Sequence, residues 1–541
     1  MRRLLVIGLD GATFRVLEPF ARDGVMPFLS DLMARGAKGV LRSTDPPYTG
    51  PGWSSFMTGT NPGKHSNYDI QRRTLDYAAL EPVGYHTLAG TTIWDVASAA
   101  GLRIALLNMP MSYPPPPLNG IVVSGALTPP GTVRFTYPER LAEELEREVG
   151  PYALDISWAE YGPDHRALML TSLENMMDQH ERAFLWALSR EPWDLAAVVL
   201  VAPDRIQHSL WHCLGVDGPV APEDMPLHDR IRGLYAKMDR TVEQLACLAG
   251  TDANVLVVSD HGFGPLEARV DLNNLLAEMG IFAFRTERGL VDTFGKGLHA
   301  VGLRRHHLAS VLRSLGARQG LTHSMEAGNR LQGVGSVTDW RRTRAFCLIT
   351  NGVFVNLRGR EPQGIVPPSD YESIRQELMQ RLCEVRDPDS GKRIIFKVQP
   401  REEVYEGPFF DYAPDLIITE FDERYHLYFF PTSHYTKAFN SPGRATGNHT
   451  YDGILIGAGP DIEPGAVCGA RLVDLMPTMC TLMGLDIPQE VDGNVLAGML
   501  RHVERTEIGH GAPHLVSTPR LVLSDAEQQG LEERLRGLGY L

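Results

Sequence analysis

The chain has 541 residues, 43% hydrophobic and 22% charged, a balance that excludes wholesale disorder and a fibrous class. Its formal net charge of −14 argues against duplex nucleic acid as a partner, although bound cations reverse the sign locally and so allow a small phosphate. The six cysteines (Cys213, Cys247, Cys347, Cys383, Cys468 and Cys480) are scattered without a C-x-x-C pair and read as free thiols of a reducing, cytoplasmic compartment.

The opening MRRLLVIGLDGATF sets two arginines before a short apolar run that Asp10 interrupts. A secretory signal needs a longer apolar stretch and a small-residue cleavage point, so this segment reads as a buried strand. No run reaches the roughly 20 apolar residues of a membrane span. Further strands are predicted at Arg103–Leu107, Ile121–Ser124, Leu195–Val201, Asn254–Ser259, Asp415–Thr419 and Gly453–Gly457. Those rich in Val, Ile and Leu on both faces suit a largely parallel sheet covered by helices. Helical spacing falls between them, over Pro138–Val149, Asp164–Ser189, Leu227–Ala249 and Leu472–Met483. The alternation predicts an α/β class protein with a doubly wound, mostly parallel sheet and helices on both faces.

Between about residues 271 and 440 the rhythm changes. A basic stretch, Lys296–Arg318, precedes apolar strands near Ala345–Leu357 and Ile394–Val398. We read 271–440 as an inserted cap, 1–270 with 441–500 as the catalytic core, and 501–541 as a tail. The tail carries a serine cap at Ser524 and a helix beyond it. The basic stretch reads as a cap helix lying on the core rather than as a face for anionic lipid.

Four clusters place carboxylates and histidines where strands or helices end. Asp10 closes the first strand. Asp204 and His208, four apart after the strand VLVAP, share a helical face. Asp260 and His261 end the strand NVLVV, where sheets of this kind form their ligand crevice. His449 precedes the strand GILIG. Taken singly, an aspartate after a strand is usually a turn or cap residue, and an Asp/His pair on a helix is usually a solvated face; the inference rests on all four together. Three aspartates and three histidines without cysteine suit zinc, or manganese less tightly, rather than calcium. Six such residues suffice for two ions with an open position on each. A fifth cluster, Pro46–Gly59, opens as a proline-stiffened loop and turns helical, placing Thr49 just before a helix start, where backbone N–H groups favour a phosphate. Gly59–His65 imitates a P-loop, but its first glycine is one position too close and His65 stands where Ser or Thr is required.

These parts together resemble the alkaline phosphatase superfamily, specifically its type I phosphodiesterase/nucleotide pyrophosphatase branch and the bacterial and archaeal phosphohydrolase relatives. The matching motifs run in family order from Leu-Asp10-Gly through Thr49-x-Pro-x-Trp-x-Ser-Phe-x-Thr-Gly, Asp204-x-x-x-His208 and Ser-Asp260-His261-Gly to Gly-x-His449. The resemblance implies an alkaline phosphatase-like fold and two divalent metal ions. Asp204, His208 and His449 would hold the first ion; Asp10, Asp260 and His261 would hold the second, with Thr49 as nucleophile against it. Asn67 is the nearest candidate for an asparagine contacting the phosphoryl group. The sulfatase branch is unlike this chain, since Thr49-Gly-Pro-Gly lacks both the convertible Cys or Ser and the arginine.

The implied activity is metal-dependent hydrolysis of a small-molecule phosphate ester through phosphothreonine. Two metals about 3.5–4 Å apart serve both apical oxygens of such a displacement. The alternatives are a phosphomutase of the same superfamily, whose phosphoenzyme returns its phosphate, or a catalytically weak protein that binds a phosphate ligand. Mono- versus diester preference stays open, because fold alone does not choose a substrate. Arg205, Arg358 and Arg360 are candidates for a second phosphate, with surface salt bridging the competing reading.

Overall fold

A computed structural model describes residues 2–74, 80–285, 334–335, 337–429, 437–501 and 523–538; the basic stretch Lys296–Arg318 lies outside them. The runs LLVIGL, LAAVVL and NVLVV carry Val, Ile and Leu on both faces, and every residue of them is buried. Such strands are stable only inside a sheet covered on both sides. They form the centre of a nine-stranded sheet. Its order is Gly465–Arg471, Ala37–Arg42, Asp452–Ala458, Asn254–Val258, Leu4–Leu9, Leu195–Leu200, Ile104–Met109, Gly120–Ser124 and Thr136–Tyr137. Seven strands run parallel, while Asp452–Ala458 and Thr136–Tyr137 run against them. Two groups of helices flank the sheet. Arg166–Arg190 and Met225–Ala249 pack on each other and on the central strands, and Thr49–Thr58 packs with Ile93–Ala99 and Leu475–Leu482. The doubly wound α/β architecture read from the sequence is the one observed.

A second hydrophobic cluster gathers Val270, Phe346, Val353, Leu378, Ile395, Ile417 and Leu427. Its antiparallel sheet orders Ala345–Phe346, Gly352–Val355, Leu416–Phe421 and Ile395–Pro400, with the helix Tyr371–Cys383 against the last. The apolar run near 415–419 therefore belongs to this sheet and not to the parallel one. Hydrophobicity marks a buried strand but not its partner. The segment Val355–Glu361 locks this unit: Asn356 Nδ2 donates to Thr343 O at 2.9 Å, and Arg360 Nη1 and Nη2 each reach an Asp415 oxygen at 2.6 Å. Arg360 is thus committed to structure and not to a phosphate.

The tail helix spans Asp525–Gly537 with the capping box expected from Ser524: its Oγ accepts from Glu527 N, and Glu527 Oε2 accepts from Ser524 N. Leu531 and Leu535 are buried in the main core. All six cysteines are free thiols. Among the described residues, no helix is long and apolar enough to cross a membrane.

Candidate active site

The strand ends assemble the site. Leu4–Leu9 delivers Asp10, and the adjacent Asn254–Val258 delivers Asp260 and His261. Gly11 adopts φ +66°, a left-handed turn open to glycine, and its N–H donates to Asp260 Oδ1 at 3.2 Å. The short strand Gly262–Pro265 then pairs antiparallel with Gly447–Thr450, setting Phe263 opposite His449. This pairing carries His449 across 188 residues of chain to stack on His261, ring centroids 3.7 Å apart. The helix Ala202–Leu210 presents Asp204 and His208 from one face.

Asp204 Oδ1, His208 Nε2 and His449 Nε2 form a triangle with edges of 3.4, 2.9 and 3.2 Å. Ligands around a tetrahedral zinc with bonds near 2.0–2.1 Å would stand about 3.3 Å apart. His261 Nε2 lies 3.4 Å from Asp260 Oδ2, 3.9 Å from Asp10 Oδ1 and 3.4 Å from Thr49 Oγ1. His261 also groups with Asp204 and His449, so it borders both sets. Oδ1 of Asp10, Oδ1 of Asp204 and Oδ2 of Asp260 are buried without a hydrogen bond. Three orphaned carboxylate oxygens aimed at imidazole nitrogens are costly unless a cation satisfies them. The donor set and its spacing therefore fit divalent metal.

The electrostatics agree. Burial, then repulsion from Asp260 and Asp204, pushes the Asp10 carboxyl far above its ordinary range. Burial pushes Asp260 up to about 8, with Asp204 adding to it and the Gly11 N–H opposing. Burial also opposes the Asp204 charge, but His208 and Arg205 outweigh it and hold that carboxyl well below the usual range. Burial lowers His261 and His449, with His449 adding to the effect on His261 and His208 to that on His449, leaving neutral imidazoles able to ligate.

Thr49 is the first residue of the buried helix Thr49–Thr58, with Tyr48 at the cap, one position from where the sequence placed the helix start. Gly50 has no room for a side chain: a Cβ there would meet Asp69 O at 2.6 Å. A Cβ on Gly52 would meet Asp260 Cβ at 3.2 Å, so the small residues let this helix approach the ligand-bearing strand. Trp53 Nε1 donates to Asp10 Oδ2 at 3.2 Å. The Tyr48 ring lies 4.9 Å from that of His449, and its hydroxyl shares a 2.6 Å hydrogen bond with His426 Nε2 on the strand Tyr425–Tyr428.

Asn67 is fully buried; its Nδ2 donates to Ser54 Oγ at 3.0 Å and its Oδ1 accepts from Thr87 Oγ1 at 2.9 Å. The P-loop look-alike is structural: Lys64 pairs with Asp492, and His65 Nε2 bonds Ser55 Oγ at 2.9 Å. Arg205 is buried between Asp204 and Asp155, meeting the latter through Nε at 3.0 Å and Nη2 at 2.6 Å. It is therefore not a substrate arginine. Arg358 is exposed at the rim of the second unit, its Nη2 donating to Ile365 O at 3.2 Å. Sequence reasoning passed over Asp155 and Trp158, which stacks on His208 at 4.6 Å. Neither sits in a motif, and their partners lie 50 residues onward.

The model of the type I phosphodiesterase / nucleotide pyrophosphatase family matches residues 4–452, a span holding every residue of the site. The chain belongs to that family. It is accordingly a hydrolase of phosphoric ester bonds. Solved structures share the fold, among them the following two. Phosphonoacetate hydrolase from Sinorhizobium meliloti 1021, in complex with phosphonoacetate, aligns at TM-score 0.55 and 16% identity, covering 88% of this chain and 94% of its own. Human ectonucleotide pyrophosphatase / phosphodiesterase 5 aligns at TM-score 0.51 and 13% identity, covering 93% and 100%. A search of curated proteins returned no significant match. The alkaline phosphatase-like fold of this family member is thus seen at low sequence identity.

Proposed function

We propose that this phosphodiesterase-family chain cleaves a small phosphate ester by a two-step displacement in which Thr49 Oγ1 is the nucleophile. The observation that carries the reading is the position of Thr49: at the start of a buried helix, its hydroxyl 3.4 Å from His261 Nε2, where the two ligand sets meet. Asp204, His208 and His449 would hold one divalent ion, and Asp10, Asp260 and His261 the other beside Thr49. Zinc suits these oxygen and imidazole donors best, with manganese weaker. Such a pair of ions, when bound, lowers the pKa of nucleophilic oxygens and neutralises phosphoryl charge.

The chain's own groups do the rest. Thr49 Oγ attacks phosphorus and expels the ester oxygen, giving phosphothreonine; water then attacks the same phosphorus and returns the threonine hydroxyl. The first-turn N–H groups of the helix and its dipole face the phosphoryl oxygens. The second Nδ2 hydrogen of Asn67 would contact the phosphoryl group, while Ser54 and Thr87 hold the amide in orientation. The six unpaired thiols support a cytoplasmic setting.

The test is paired hydrolysis of p-nitrophenyl phosphate and bis-p-nitrophenyl phosphate after metal is stripped and zinc or manganese restored. Thr49→Ala should lower turnover by about 10⁴-fold or more with metal content unchanged. Turnover like the wild type in that variant removes Thr49 from the mechanism. An isomerised product instead of free phosphate or alcohol moves the chain to the phosphomutases.

A further inference from the structure

Asp204 divides its two oxygens. Oδ1 faces His208 and His449, while Oδ2 is held by the Arg205 guanidinium. Arg205 is itself buried, 1% exposed, and its other edge is gripped in fork geometry by Asp155 through Nε and Nη2. With its Nε/Nη2 edge taken by Asp155, the guanidinium meets Asp204 through Nη1 at Oδ2 and leaves Oδ1 turned towards the imidazoles. Three residues on, Trp158 lies parallel to the His208 ring, 4.6 Å away with 6° between planes, and Phe263 meets the same ring edge-on at 4.8 Å. A ring sandwiched in this way has its nitrogen direction fixed.

Asp155 and Trp158 share one short segment, and the C-terminal helix Asp525–Gly537 packs on it. Arg534 Nη1 donates to Asp155 O at 3.4 Å, Gly537 closes on Ser157, where a Cβ would meet Oγ at 2.4 Å, and Leu531 and Leu535 are buried in the core. The helix thus backs the loop that orients two of the three donors of one ligand set.

We propose that Asp155 and Trp158 are positioning residues that set the divalent-cation affinity of the Asp204/His208/His449 set, held in place by the C-terminal helix. The inference rests on the two-ion reading above. Partners that orient metal ligands without touching the ion are worth about 10–100-fold in affinity. Removal of the Asp155 charge lets Arg205 turn fully onto Asp204 and compete for Oδ1. Truncation of Trp158 frees the His208 ring.

The experiment titrates Zn²⁺ into the metal-stripped full-length chain against a chromophoric chelator, for the wild type, Asp155→Asn, Trp158→Leu and Trp158→Phe. The expected result is two ions on the wild type, and about 10–100-fold weaker binding of one ion only in Asp155→Asn and Trp158→Leu. The aromatic Trp158→Phe should restore near-wild-type affinity. Both ions held as tightly as in the wild type, or both weakened equally, overturns the proposal, since general loosening does not choose one set. If Asp155→Asn does not fold, the Trp158→Leu and Trp158→Phe pair decides on the same readout. A wild-type chain that takes up no ion overturns the two-ion reading itself, a result distinct from the others.

Discussion

Glu361→Gln is expected to destabilise the protein strongly although it lies in neither ligand set. Glu361 and Arg73 meet in a two-pronged pair, Nη2–Oε2 at 2.5 Å and Nη1–Oε1 at 3.2 Å, with side chains only 4% and 2% exposed. The Arg73 guanidinium also lies 4.8 Å from the Phe354 ring, and Arg360 Nε reaches Glu361 Oε1 at 3.0 Å. Breaking a buried pair by removing one partner costs about 3–5 kcal/mol. Glutamine keeps the volume and one acceptor, which places the loss near the lower bound, about 3 kcal/mol. The double replacement Arg73→Met with Glu361→Leu removes both charges and should recover most of it, because apolar substitutes for buried pairs are often neutral. Urea unfolding followed by tryptophan fluorescence measures all three. A loss under about 1 kcal/mol in Glu361→Gln, or a double variant weaker than the single, refutes the reasoning that desolvation governs this pair.

Stripping metal should lower the melting temperature, because Asp10, Asp204 and Asp260 then crowd orphaned oxygens in the core. Zinc at about 100 times its Kd should restore about 2.7 kcal/mol per site, read by calorimetry; a melting curve indifferent to chelator counts against the metal sites. Gly50→Ala should cut turnover and stability together, since its Cβ would sit 2.6 Å from the backbone oxygen of Asp69 and force one of the two segments to shift; unchanged kinetics would show that the helix has slack. Burial opposes the Glu527 charge, but the Tyr113 hydroxyl, the Ser524 cap and Arg134 outweigh it and hold its carboxyl at about 2. A depressed carboxyl contributes stability above its ordinary value near 4.5 and loses it as pH falls towards about 2. Protection factors of the 525–537 amides, which remove the intrinsic slowing of exchange at low pH, should accordingly drop over that window, and Glu527→Gln should abolish the drop; protection flat with pH would exclude Glu527 as the anchor.

What the sequence disclosed follows from burial and adjacency. The central strands are apolar throughout because both their faces are covered, so Leu4–Leu9, Leu195–Leu200 and Asn254–Val258 stand out as runs. Ala37–Arg42 and Gly465–Arg471 lie at one side of the sheet and are only partly buried, so Lys38, Gly39 and Arg42 break the pattern and neither was predicted. The ligand motifs were legible because the chemistry needs specific residue types at strand ends. Asp155 and Trp158 were not, because an aspartate or a tryptophan in a loop is informative only when its distant partner is known. Local sequence likewise foretold the Ser524 cap, whereas the burial of Leu531 and Leu535 depends on surfaces more than 300 residues earlier.

The position of Ala37–Arg42 in the sheet orders events during synthesis. Both of its neighbours, Asp452–Ala458 and Gly465–Arg471, come more than 400 residues later. A growing chain therefore carries this strand unpaired while the more than 400 residues that separate it from its partners are made, an open edge of the kind that recruits other chains. Lys38, Gly39 and Arg42 blunt that edge while it waits. The strand Asp452–Ala458, which follows His449 directly, then enters between Ala37–Arg42 and Asn254–Val258. One late insertion thus both joins Ala37–Arg42 to the sheet and supplies the last donor, so no chain that stops short of His449 owns a complete site.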